Sequence, residues 1–265
     1  MGERTGRSHL AERNMLIVMK LHLDGSEGDD DGGRKWMTLA GYIASDGFWR
    51  DFDDRWTTML HNRYPVAPYI HMNELMGWDD PFERVNGWTD RRKEELILDA
   101  VKLLQSINKR AFCSFLCRID LSGHAALIAE GASLKPPEFM CADACISQSF
   151  KWYISEHPDH LEAAHIFSDR DEPYIKEFKK EWARHQEPKR LIKPGNLWGW
   201  IASIEEVNMR ETPATQACDM VAWAESRSVS DAERPYKFLS KIIQTVTPTA
   251  RIILTEPTLR ANFVH

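Results

Sequence analysis

The sequence predicts an α/β fold: one domain in which strands and helices alternate around a sheet. Three observations carry that prediction. Residues Leu16 to Leu23 alternate from side to side with the period of two that marks a half-buried strand. A second strand-like run, Lys35 to Ile43, follows a loop rich in aspartate and glycine, which suits an antiparallel hairpin. Farther on, the short apolar run Leu161 to Asp169 lies between two segments of helical spacing, as a strand does in an α/β unit. A chain of 265 residues, 43% hydrophobic and 28% charged, is long and apolar enough for a sizeable core.

The first strand sets Ile17, Met19, Leu21 and Leu23 on one side and Lys20, His22 and Asp24 on the other. Asp24 then stands on the polar side at the strand's end, and the glycines after it predict a turn. Asp29, Asp30 and Asp31 read as a solvated hairpin loop. Phe48, Phe52, Trp56 and Met59 form one helical stripe, entered through Ser45-Asp46-Gly47. Pro65 and Pro68 break the chain, and Tyr69 to Met72 is a short extended segment. Thr89 caps a helix over Asp90 to Ile107, with Leu96, Ala100, Leu103 and Leu104 as its apolar face. Arg110 to Ile119 is a third long strand, and Leu121 to Leu134 is ambiguous.

Pro136-Pro137 opens a long helix to about Glu156. Pro173 suits the first turn of a helix over Tyr174 to Arg184, and Leu197 to Ile204 reads as a strand. Thr212-Pro213 starts a helix over Ala214 to Arg227. A helix over Arg234 to Ile243 and a strand over Ala250 to Leu254 close the chain. With no repeat, low-complexity segment or linker, residues 15–265 form one domain with helical insertions. The polar segment Met1 to Asn14 is expected to be disordered and lacks the apolar core of a secretory signal.

Composition excludes several classes. No apolar run approaches the roughly 20 residues of a membrane helix, so no membrane partner is expected. The net charge of −6 argues against bulk nucleic-acid binding, which would need a local basic patch. Five cysteines, an odd number, suit a reducing cytosol. Cys113 and Cys117 are four apart, as are Cys141 and Cys145, but they lie inside apolar segments and read as buried thiols rather than a zinc site. The oligomeric state is not legible.

Four stretches carry candidate chemistry. Asp24 is the first, against the bland reading of a turn aspartate. A calcium loop starting there fails, because Asp29 and Lys35 occupy the positions that need glycine and glutamate. Asp169 ends a strand where α/β folds put ligand-binding residues, with Glu172 at the helix entrance; the alternative is helix capping. Asp219 lies in an otherwise packed, small-residue helix, where an unpaired carboxylate is costly; the alternative is a buried salt bridge. His71 and Glu74 share one site if the segment after Ile70 turns helical; a satisfied histidine is the alternative.

Carboxylates on separate elements are what a metal pair requires. Hydrolysis of a phosphodiester uses two cations about 3.5–4 Å apart, held by three or four converging acids. Oxygen donors select Mg²⁺ or Mn²⁺ over zinc. Ser26 and Gln216, close in sequence to Asp24 and Asp219, are candidate substrate contacts. So are Lys176, Lys179 and Lys180, which with Arg184, Lys189, Arg190 and Lys193 make a basic stripe interleaved with Trp182, Trp198 and Trp200. Glu177 and Glu181 dilute that stripe, so a solvated helix face is the competing reading. A serine hydrolase built on Ser26 lacks the Gly-x-Ser-x-Gly elbow.

These stretches resemble a family known only as domain of unknown function 3800. Leu23-Asp24-Gly25-Ser26 is similar to its Asp-Glu-Ser-Gly opening, and Ile70 to Leu75 to its His-Met-x-acidic segment. Phe167 to Tyr174 resembles its strand-ending Asp-x-x-Glu-x-aromatic segment. Gln216 to Trp223 resembles its Gln-x-Ala-Asp helix. The matches come in the family's order across most of the chain. The resemblance implies a ribonuclease-H-like mixed sheet flanked by helices. It carries over Asp24, Glu74, Asp169, Glu172 and Asp219 as metal-site residues, with His71 nearby as a water-orienting group or general acid. Gly25 stands where the family has glutamate, so only Glu27 in that turn remains to replace it; Cys218 stands where the family has alanine. The expected function is a Mg²⁺- or Mn²⁺-dependent nuclease acting on DNA or RNA. The alternative is a degenerate binding module on the same fold, in a defence or mobile-element system.

Overall fold

A computed structural model describes residues 18–107, 112–156, 164–170, 172–185, 197–228, 237–245 and 250–263. The expected N-terminal tail and Lys189, Arg190 and Lys193 lie outside them.

Six strands form one sheet: β1 (Met19–Asp29), β2 (Lys35–Ser45), β3 (Phe112–Asp120), β4 (Ala164–Asp169), β5 (Ile201–Val207) and β6 (Ala250–Leu254). They lie side by side in the order β5-β4-β1-β2-β3-β6. β2 is antiparallel to both its neighbours, while β1–β4, β4–β5 and β3–β6 are parallel. The result is a mixed α/β architecture, a central strand paired to a reversed hairpin partner on one side and to two parallel strands on the other, with β6 at one edge.

Helices cover both faces, which explains why β2 is buried from Trp36 to Ala44 whichever way its side chains point. One core joins Tyr42 and Leu116 to α1 (Asp46–His61), α2 (Met72–Gly77), α3 (Asp90–Gln105), α7 (Pro213–Ser228) and α8 (Lys237–Ile243). The other joins Leu21, Leu23 and Leu39 to α4 (Leu121–Ala129), α5 (Pro137–Glu156), α6 (Tyr174–His185) and α9 (Glu256–Phe263). α7 lies across β1 and is buried all round from Ala214 to Ser226. Its close approach depends on glycine: a Cβ at Gly28 would meet the Ser226 carbonyl oxygen at 2.5 Å.

Most elements form where periodicity puts them, with five corrections. β1 does not end at Leu23. It pairs with β2 from Met19 opposite Ser45 to Asp29 opposite Lys35, so Asp24 is mid-strand and Gly25 and Gly28 are strand residues. The turn lies farther on. Asp30 builds it rather than hanging in solvent, accepting from Gly32 and Arg34 N–H and the Trp36 indole. The buried stripe of α1 keeps Phe52 and Trp56 as predicted, but Trp49 and Leu60 take the places of their neighbours Phe48 and Met59. Leu197–Trp200 is a 3-10 turn and the strand starts only at Ile201, where pairing with β4 begins. α9 was not foreseen, and the ambiguous segment after β3 holds α4, capped by Asp120 accepting from Gly123 N–H at 2.8 Å.

Candidate active site

The sheet register makes the first contact of the site. β1 and β4 run parallel with Leu23 beside Ser168, so the next residue on each strand is Asp24 and Asp169. Asp169 is anchored at the end of β4, where its Oδ1 accepts from Met209 N–H at 2.8 Å. Four residues past Ser168, before α6, Glu172 turns back toward β1. Its carboxylate oxygens lie 3.3 and 3.4 Å from where a Cβ on Gly25 would sit. The carboxylate filling the space left by Gly25 is therefore Glu172, not Glu27, which is exposed. α7 brings Asp219 down on the same region from above β1.

Asp24 and Asp219 are 5% and 4% exposed. Burial, then the charges of Asp219 and Glu172, then a hydrogen bond with Glu172, hold the Asp24 carboxyl well above the usual carboxylate range. Burial also raises Glu172, with Asp169 and Glu138 adding to it. Asp219 is pushed up to about 6, first by burial and then by Asp169 and Glu172, against the lowering pull of His71 and the Met72 N–H. Asp24 thus feels Asp219 and Glu172, and Asp219 feels Glu172 and Asp169. The bland alternative for Asp219, a salt bridge to arginine, is not what forms.

Asp219 has a structural task as well. Its Oδ2 accepts from Met72 N–H at 2.6 Å, at the N-terminus of α2, where His71 supplies no side-chain cap. At the other end of α2 the buried Lys93 ammonium donates to the Leu75 carbonyl and lies 3.4 Å from the Trp78 ring centroid. A six-residue helix is too short to be stable by itself. An anion at its N-terminus and a cation at its C-terminus both match the helix dipole. Burial lowers Lys93 to about 8.

α2 does form after Ile70, as the pairing of His71 with Glu74 requires, but Glu74 is occupied. Arg210 reaches its Oε1 at 2.6 Å, the Tyr69 hydroxyl donates to its Oε2 at 2.7 Å, and His71 Nδ1 lies 2.9 Å from Oε1. Burial pushes Glu74 up, but those three partners together bring it below its ordinary value. Glu74 belongs to an ion-pair network beside the carboxylate cluster, not to the cluster. Gln216 is likewise occupied. It is 1% exposed, its Oε1 accepts from the Trp56 indole and Ile70 N–H, and its Nε2 donates to the Met209 and Arg210 carbonyls. A side chain with every polar atom consumed internally has nothing left for substrate.

A cleft of about 360 Å³ opens beside the cluster, lined by Gly25, Ser26, Glu27 and Met37 of the hairpin, Asn73, Glu138, Glu172, Pro173 and Arg227. Ser26 lines it, its hydroxyl 3.0 Å from that of Ser226. Asn73, Glu138 and Arg227 are the residues sequence reasoning missed. Asn73 was hidden inside the His71-to-Glu74 motif. Glu138 and Arg227 sit at opposite ends of different helices, and no spacing signals that they meet.

Neither a family model nor a curated protein matches the chain. Among solved structures it is similar to the RNase HII of Archaeoglobus fulgidus in complex with PCNA, at 13% identity over 80% of this chain and 74% of that chain, with a TM-score of 0.36.

The basic stripe of α6 is largely neutralised. Lys179 pairs with Glu206 at 2.5 Å, Lys180 with Glu177 at 3.3 Å, and Arg184 with Glu181 at 2.6 Å. Lys176 is exposed, and its charge bears on Glu206. These lysines form the solvated face that the interleaved glutamates suggested. Cys117, Cys141, Cys145 and Cys218 are buried free thiols. Among the described residues no helix is long and apolar enough to cross a membrane, and no three His, Cys, Asp or Glu side chains are arranged to hold a metal ion.

Proposed function

We propose that the chain is a Mg²⁺- or Mn²⁺-dependent nuclease whose working acids are Asp24, Glu172 and Asp219, with Asp169 at their edge. The observation that supports this most is the charge of the cluster. Carboxylates from β1, the β4–α6 junction and α7 are packed together, and the strongest charges acting on Asp24 are other carboxylates. Natural proteins rarely leave buried acids uncompensated without a functional reason. The donor chemistry fits a hard divalent cation. The resemblance of four motifs to the family of unknown function supports the same reading.

A metal bound there would supply positive charge to the phosphodiester and acidify an attacking water. The chain's own residues do the positioning. Asp219 is oriented by Met72 N–H, Asp169 by Met209 N–H, and Asp24 by Gly25 N–H at 3.0 Å. Backbone donors of this kind fix a carboxylate without supplying a competing cation. His71, 2.9 Å from Glu74 Oε1 and close enough for its charge to bear on Asp219, would orient the water or act as general acid to the leaving oxygen.

The deciding experiment incubates single- and double-stranded DNA and RNA with the protein and Mg²⁺ or Mn²⁺. Cleavage is expected in wild type and at least about 100-fold less in Asp24→Asn and Asp219→Asn. A wild type that cuts none of them ends this reading. A non-catalytic binding module on the same fold is favoured by one observation: Asp24 and Glu172 hydrogen-bond each other, and no three donors stand in metal-holding geometry among the described residues. On that reading Mn²⁺ leaves the melting curve unmoved.

A further inference from the structure

The cleft presents a charge problem. Glu27, Glu138 and Glu172 line it, Asp24 lies beneath, and Arg227 is the cation among its lining residues. A polyanionic strand cannot approach four carboxylates through neutralisation of the buried ones alone, because Glu27 and Glu138 flank the path at the surface. We propose that Arg227 is the phosphate-binding residue of this cleft, gripping the backbone of a nucleic-acid strand and aiming it at the cluster. The inference rests on the nuclease reading for the identity of the strand, but not for the anion chemistry of the residue.

Several features prepare Arg227 for this. It lies in the last turn of α7, eight residues beyond Asp219, so about 12 Å of one helix carries both an acid of the cluster and the cation of the cleft. That helix end is held to β1 by the Ser26–Ser226 contact at 3.0 Å and by the close approach of the Ser226 carbonyl to Gly28. The guanidinium lies 5.6 Å from the centroid of the Trp223 ring one turn back, which limits the conformations it must lose on binding. A guanidinium fork matches two phosphate oxygens at once, which an ammonium does not. Asn73, on α2 across the cleft, adds a neutral donor that an anion tolerates.

The test is binding of labelled single-stranded DNA and RNA of about 12 nucleotides, a length within one strand-binding site, read by fluorescence anisotropy with Ca²⁺ replacing Mg²⁺. Arg227→Gln is expected to weaken binding at least about fivefold and to lower the salt-dependence slope by about 1. Arg227→Lys should recover part of the affinity and the whole slope, and it keeps the charge should the glutamine variant fail to fold. Glu138→Gln, on the opposing wall, should tighten binding. In cleavage assays Arg227→Lys should raise KM with kcat nearly held. Binding that is absent in wild type, or equal in wild type and Arg227→Gln, overturns the proposal. Arg227-dependent binding without any cleavage supports it and overturns the nuclease reading instead.

Discussion

Helix α7 carries two buried acids six residues apart, and their surroundings could hardly differ more. Glu225 and Asp219 are each 4% exposed. Glu225 meets Arg118 at 3.6 Å and Arg251 at 3.1 Å, from β3 and β6. Asp219 meets a backbone N–H, the charge of His71 and, beyond them, more carboxylates. Burial therefore does not distinguish these two acids. On the reading proposed above, what sets Asp219 apart is burial beside other carboxylates, with the half-buried His71 in place of a pair of arginines, and Glu225 on the same helix provides the control.

The largest effect that sharpens this contrast is on stability. Glu225→Gln strands Arg118, whose side chain is only 15% exposed, and should cost about 3 kcal/mol in urea unfolding. Asp219→Asn in metal-free protein should cost far less or nothing at neutral pH, because asparagine still accepts from Met72 N–H and removes a repelled charge. Equal losses in the two variants would break the comparison.

Next comes metal. Mn²⁺ at about 100 times its dissociation constant should stabilise wild type by about 2.7 kcal/mol. That gain, read as a rise in melting temperature, should disappear in Asp24→Asn and persist in a folded Glu225→Gln. Loss of the gain in both, or in neither, would place the metal elsewhere.

The smallest effect is on pH dependence. Asp219 titrates at about 6 in the folded chain against 3.8 unfolded. The unfolded state therefore gives up its proton first, and metal-free stability falls as pH rises from about 4 through 6. His22 works in the opposite sense. Burial beneath α7, followed by the charge of Lys20, lowers it to about 3, so stability falls as pH drops below about 6.5. The two slopes partly cancel in wild type. Asp24 and Glu172, also raised, add to the Asp219 slope. Asp219→Asn should remove its share and make the fall of the unfolding midpoint with rising pH shallower; an unchanged profile would count against a charged Asp219 in the cluster.

Much of the fold was legible because helices and strands with one buried face write their period into the chain. α1, α3, α5, α6, α7, β2 and β6 lie within a few residues of where period and caps put them. β1 was cut short because glycine after aspartate signals a turn locally, whereas here Gly25 and Gly28 serve close contacts with Glu172 and with α7. Glu74 and Gln216 looked like site residues for a related reason. A polar side chain in an apolar segment announces that it has a partner, but not which one.

Local sequence alone determined that Asp24, Asp169 and Asp219 sit on a strand, at a strand end and on an apolar helix, and that Glu172 follows at a helix entrance. Chain connectivity has no say in which of them meet. Tertiary structure decided that β1 and β4 pair in parallel with Leu23 beside Ser168, that Glu172 fills the space at Gly25, and that Glu74 is diverted to Arg210. The physical reason is range. Periodicity and capping act over a few residues, while the electrostatics of this cluster join groups nearly 200 positions apart, and only the packed sheet and its crossing helix bring them into one another's field.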